Sequence, residues 1–190
     1  TMDAKHLPAS WLSTANALEQ MGFEAHAALF VIDDYVPSGS LREQIRQNRD
    51  ADRLLRGQGN NQGRARMTAE LDVRAAKPIR ALILSTGEDI PRGQSLRARM
   101  LIIEVGPEHV IWPKMSEAQE AARHGYYAAA TAGFCRWMAG RYEEARAQVP
   151  RELAEFRRRL QATEAHRRTP DNIAELAAGF RVFLSYARHM

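Results

Sequence analysis

The feature that most constrains this chain is the run Leu29-Phe30-Val31-Ile32-Asp33-Asp34. Residues 27–32 are apolar throughout, and two adjacent carboxylates close the run. A short segment that is apolar on both faces suits a strand inside a parallel sheet rather than the surface of an antiparallel one. Its acids then fall at the carboxyl edge of the sheet, where open α/β folds bind their ligands. A strand that ends in aspartate merely for turn chemistry is the plainer alternative.

Two further runs have the same character. Ala81-Leu82-Ile83-Leu84 ends in Ser85-Thr86-Gly87-Glu88-Asp89, and Met100-Leu101-Ile102-Ile103-Glu104-Val105 forms a third expected strand. Trp11, Leu12, Ala15, Leu18 and Met21 recur at helical spacing, predicting a helix over 10–21 stopped by Gly22. Ser40 with Glu43 three residues on has the form of a capping box and predicts a helix from Leu41 to about Arg56. After Gly106-Pro107 the pattern is helical. Ser116 is the expected cap of a helix from Glu117 to Gly140, with a shorter piece to Val149. Pro150 opens another helix to about Arg168, and Thr169-Pro170 opens the last. The expected fold is α/β with a short, mainly parallel sheet over residues 1–106, followed by an α-helical subdomain over 107–190.

Between the first two strands lies a basic segment. Gly57-Gln58-Gly59-Asn60-Asn61-Gln62-Gly63 is turn-rich, and Arg64, Arg66, Arg74, Lys77 and Arg80 follow. It reads as a β-hairpin or a long basic loop. These five cations are candidates for phosphate contacts, which release counterions and so depend on salt. No aromatic residue lies there to stack on bases. A solvated loop is the alternative.

Composition adds limits. Of 27 basic residues only Lys5, Lys77 and Lys114 are lysine, and the net charge is +4. Arginine suits phosphate recognition, although a GC-rich genome gives the same bias. The one cysteine, Cys135, excludes an internal disulfide and reads as a small core residue. Tyr126, Tyr127, Phe134 and Trp137 fall at helical spacing and are expected in a core, and Phe180, Phe183, Leu184 and Ala187 make an apolar stripe on the last helix. His6, His26, His109, His124, His166 and His189 show no metal-ligand spacing. No apolar run approaches the ~20 residues of a membrane span and no secretory signal opens the chain, so the cytoplasm is the expected compartment. Thr1 ahead of Met2 reads as an expression scar or as a cut from a longer chain.

Taken in order, Leu29 to Asp34, Arg53-Leu54-Leu55-Arg56 with Gly57-Gln58-Gly59-Asn60, Leu82 to Pro91 and Arg92 to Arg99 resemble the ATPase module of phage and plasmid primase–helicases. The likeness is to its part after the Walker A loop. It is most similar to helicase-like domains attached to primase/polymerases in actinobacterial mobile elements. The resemblance implies a partial P-loop NTPase core and ATP-driven strand separation in a ring, on DNA, with single strands the expected substrate. It implies ATP and Mg²⁺ as cofactors in the full-length context. Asp33 would hold Mg²⁺ and Asp34 would polarise the attacking water. Ser85 or Thr86 would sense the γ-phosphate. Arg97 and Arg99, on one side of a strand-like segment, would supply an arginine finger.

One departure is decisive for activity. No Gly-x-x-x-x-Gly-Lys-Ser/Thr occurs, and Arg64-Ala65 rather than Lys-Ser/Thr follows Gly63. Without that cradle the chain by itself is expected to hydrolyse ATP poorly or not at all. A non-catalytic DNA-binding or protein-interaction module derived from such an ATPase is the alternative, and a structural remnant is a third. Loss of the Walker A strand and helix would expose apolar sheet surface and favour association.

Overall fold

A computed structural model describes residues 9–63, 66–67, 73–160 and 168–190, with only the backbone at 66–67 and 73–74. The chain divides into two compact units, Thr1–Arg99 and Met100–Met190. The described residues are mostly helical, with seven α-helices and one three-stranded parallel sheet.

In the first unit the sheet has the order β1 (Ala9–Ser10), β2 (Leu29–Tyr35), β5 (Leu82–Gly87), every neighbouring pair parallel. Leu29 lies opposite Leu82 and Val31 opposite Leu84. Helices α1 (Ala15–Glu24) and α2 (Leu41–Gly59) contribute Leu18, Ala51 and Leu54 to a core that also holds Phe30, Ile32, Ile79 and Ala81. Alternate strand residues point to opposite faces, so the face bearing Phe30 and Ile32 is filled. The face bearing Leu29, Leu82 and Leu84 stays 42%, 55% and 49% exposed. The two helices are tied by Arg53, whose guanidinium forks onto Glu19 at 2.7 and 2.6 Å and also donates to Asn16 at 2.7 Å.

Several local expectations shift for physical reasons. The α1 helix starts later than its apolar periodicity suggests, because Thr14 caps it by accepting from the Ala17 amide at 3.3 Å. It also runs through Gly22, which is buried. Strand β2 continues past Ile32 through both aspartates to Tyr35. The capping box stands as read: Ser40 and Glu43 bond reciprocally, and α2 extends to Gly59. Gly57 and Gly59 are therefore helical rather than loop residues. The basic segment does form a hairpin, with β3 (Arg66–Met67) antiparallel to β4 (Val73–Arg74).

The second unit is helical: α4 (Trp112–Arg123), α5 (Tyr126–Ala139), α6 (Tyr142–Leu160) and α7 (Thr169–His189). Met100–Val105 is not a strand. It lacks a ladder partner among the described residues, and Leu101, Ile103 and Val105 are exposed. Apolar β-branched composition alone does not make a strand, because the hydrogen bonds come from a neighbour. The expected helix from Glu117 to Gly140 is two helices, broken at Gly125, whose φ of +75° is open to glycine at little cost. Pro113 lies in the first turn of α4, so Ser116 is inside the helix and caps nothing. Pro150 also lies inside a helix, α6, and opens none. An interior proline costs about 3 kcal/mol, here offset by the packing of α6 along α7. Thr169 is the first residue of α7 rather than its cap; Arg168 holds the N-cap position without a side-chain capping bond, and Pro170 lies in the first turn.

Cys135 is exposed, not a core residue. Tyr126 and Tyr127 are exposed as well. Phe134 and Trp137 do pack together with Tyr186, with ring centroids 5.7 to 6.3 Å apart.

Candidate functional site

The carboxyl ends of β2 and β5 meet through side chains. Thr86 donates its hydroxyl to the Asp33 carboxylate and accepts from the Asp34 amide at 3.1 Å. One hydroxyl thus binds both acid positions of β2 to the tip of β5. The backbone there is irregular. The β2–β5 register shifts between Ile32 and Tyr35, and Asp34 has a φ of +65°. A bulge at a strand end re-aims side chains, and aspartate tolerates the left-handed region better than most residues. The Asp33 carbonyl is fixed from the other side by the Trp11 amide at 3.1 Å.

The neighbouring residues lock this edge. The Trp11 indole donates to Ser85 Oγ at 2.9 Å and meets the Tyr35 ring edge-on at 5.2 Å. Tyr35 donates to Asn48 Oδ1 at 3.2 Å, and the same oxygen accepts from the Arg92 amide at 3.4 Å. Burial pushes the Tyr35 phenol up to about 12, with Asp89 adding to the shift and Arg92 offsetting part of it. Gly87 faces Tyr35 so closely that an added Cβ would lie 2.5 Å from the Tyr35 carbonyl oxygen. Trp11, Tyr35 and Asn48 are the supporting residues that sequence patterns miss. Nothing in the spacing of Trp11 and Ser85, 74 positions apart, announces their hydrogen bond.

The other sequence candidates are placed as follows. Arg97 closes the short helix α3 (Gln94–Arg97), and Ala98 is its right-handed cap. The segment is helical, so the two arginines do not share a side as residues i and i+2 of a strand would. Arg99 donates to the Ser95 carbonyl, to Ser95 Oγ at 2.8 Å and to Asn60 at 3.3 Å. Arg66 and Arg74 are register partners across the hairpin. Arg64 lies outside the described residues. Lys77 donates to Gln20 at 3.0 Å. Arg80 lies 4.5 Å over the Phe23 ring and reaches the Phe23 carbonyl and His26 at 3.4 and 2.8 Å. Both cations are engaged with the end of α1.

The chemistry of the edge bears on Mg²⁺ and ATP. Among the described residues no three His, Cys, Asp or Glu side chains converge into a metal-holding group. Mg²⁺ typically takes one or two carboxylates and completes its shell with water and substrate phosphate. The Asp33 carboxylate with the Thr86 hydroxyl fits that smaller share. A glycine-rich phosphate nest is a different matter, because the glycine-rich stretch, residues 57–63, begins inside a helix: Gly57 and Gly59 belong to α2. No family model, curated protein or solved structure matches the chain. Among the described residues, no helix is long and apolar enough to cross a membrane.

Proposed function

We propose that this chain supplies the acid-and-sensor part of a P-loop-type ATPase in a DNA-replication helicase of primase-associated type, on a mobile element. The observation that carries the reading is the link Asp33–Thr86–Asp34 across two adjacent parallel strands. An acid and a hydroxyl held together at the carboxyl edge of such a sheet are the pair needed beside a metal-bound γ-phosphate. Mg²⁺, when bound, neutralises the developing charge of the phosphate. Asp33 is the residue to hold it, Asp34 orients water, and Thr86 with Ser85 reports on the phosphate end. Arg97 or Arg99 remains the proposed finger. ATP is the nucleotide, and a ring of subunits the working assembly.

The open side of the sheet supports the same reading. A doubly wound sheet carries helices on both faces, whereas among the described residues Leu29, Leu82 and Leu84 are exposed and β5 is an edge strand. A phosphate-cradling strand and helix from elsewhere would cover both. The proposal accordingly assigns little turnover to these 190 residues by themselves. Steady-state phosphate release with and without Mg²⁺ tests this. A rate near background is expected, whereas appreciable Mg²⁺-dependent turnover lost in Asp33→Asn would contradict it.

The second reading is a non-catalytic DNA-binding module, and the hairpin favours it. Its two strands bring the chain positions of Arg66 and Arg74 into register, within a segment that carries five basic residues and no aromatic, which suits phosphate rather than base contacts. Binding of single-stranded DNA, followed by fluorescence anisotropy across a salt series, is the test of the DNA role common to both readings. Removing two phosphate contacts in Arg66→Ala/Arg74→Ala should lower the salt slope by about 1.4, at ~0.7 per contact. An unchanged slope excludes the hairpin from DNA. A DNA affinity that ATP and Mg²⁺ never alter, even in the assembled protein, would favour the second reading over the first.

A further inference from the structure

Helix α7 has two faces of opposite fate. Ala174 and Ala178 are buried, and Arg181 lies 4.3 Å over the Phe156 ring while reaching Glu155 at 3.7 Å. On the other side Ile173, Leu176, Phe180, Phe183 and Ala187 follow one another at intervals of three, four, three and four residues. That is the a/d repeat of a helix-pairing seam. It is partly exposed: Phe180 is 61% and Phe183 42% exposed, the two rings lie stacked 6.5 Å apart, and one side of Phe183 rests on Phe134 with centroids 5.8 Å apart.

We infer that this seam is a self-association surface whose occupant is α7 of a second copy of the chain. Two observations select that occupant. The flanking residues are Asn172 and Gly179 on one side and Ala177 and Leu184 on the other, none of them charged. A second identical seam therefore meets no like-charge repulsion, while a partner with a charged rim would find nothing to pair with. Gly179 is the other. Mid-helix glycine costs about 1 kcal/mol relative to alanine, yet a Cβ there would meet nothing within 4 Å. Packing among the described residues does not require Gly179, and a glycine at this position would let a second helix backbone approach closely.

The size of the surface bounds the class of interface it can form. On the ~150–250 Å² that an aromatic side chain buries, the exposed shares of Phe180 and Phe183 come to roughly 200 Å² per copy. Ile173, Leu176, Ala187 and the flanks bring a two-copy contact to about the 1,000 Å² floor of specific interfaces. An interface at that floor belongs to the weak, transient class, and a Kd on the order of micromolar to tens of micromolar is the range to search.

Sedimentation equilibrium of the whole chain from about 1 to 200 µM tests it, a range bracketing that Kd. Wild type should pass from monomer to dimer. Phe180→Glu/Phe183→Glu should remain monomeric throughout with unchanged far-ultraviolet circular dichroism. Leu176→Gln serves the same purpose if the double variant misfolds. Gly179→Ala should raise the melting temperature of the monomer and weaken association several-fold, a combination that a purely structural glycine would not give. Leu82→Lys, on the bare sheet face, should still dimerise. A wild type that stays monomeric overturns the inference, as does a Phe180→Glu/Phe183→Glu variant that associates as tightly as wild type.

Discussion

At the scale of single residues the strand edge is held by groups of very different visibility. Asp33 and Asp34 announce themselves, because two carboxylates after an apolar run are unusual, and Ser85 and Thr86 follow from the same logic one strand later. Their joining through the Thr86 hydroxyl is a matter of register, which the pattern of apolar residues leaves open. Trp11 was legible only as an apolar residue, yet its indole fixes Ser85. Tyr35 gives this edge a pH signature. Its phenol is raised from 10.0 to about 12 in the folded protein, mainly by burial. A raised folded value means stability that is complete below pH 10 and lost as pH rises through 12. At ~1.4 kcal/mol per unit the loss is about 2–3 kcal/mol. Urea unfolding monitored between pH 9 and 12 should show it, and Tyr35→Phe should flatten that part of the profile. An identical alkaline decline in Tyr35→Phe would assign the loss to other groups.

At the scale of elements, capping chemistry was readable and tertiary choices were not. Ser40 and Glu43 form the box that their spacing implies, with the Ser40 amide and hydroxyl each 2.7 Å from Glu43 Oε2. Those bonds hold the Glu43 carboxyl below its usual range. Ser40→Ala should cost about 1 kcal/mol, measured by chemical denaturation; a change under ~0.3 kcal/mol would show that α2 is fixed by its buried Leu54 and Ala51 alone. The misread elements share a cause. Met100–Val105 has the composition of a strand but no ladder neighbour among the described residues. Pro150 has the chemistry of a helix start but lies where α6 packs along α7. Arg97 and Arg99 were placed on a strand-like segment, and a four-residue helix after Gly93 takes them off it. In each case a nonlocal contact, or its absence, overrides a local preference.

At the scale of the whole molecule the α/β-then-helical order was legible, because it rests on where buried-strand runs stop and helical spacing begins. Leu29, Leu82 and Leu84 lie on the exposed face of the sheet; under the proposed function that is where a phosphate-cradling strand and helix would pack. The seam on α7 was visible in part as an apolar stripe, although its exposure belongs to the folded helix bundle. The most direct test of the account is ATP turnover by the longest natural reading frame that contains these 190 residues, compared with its Asp33→Asn form. The account predicts Mg²⁺-dependent hydrolysis that falls ~100-fold or more in Asp33→Asn, in line with the loss of a charge-stabilising group, while the fold is kept. Turnover indifferent to Asp33→Asn, or none at all from the natural protein, would contradict it.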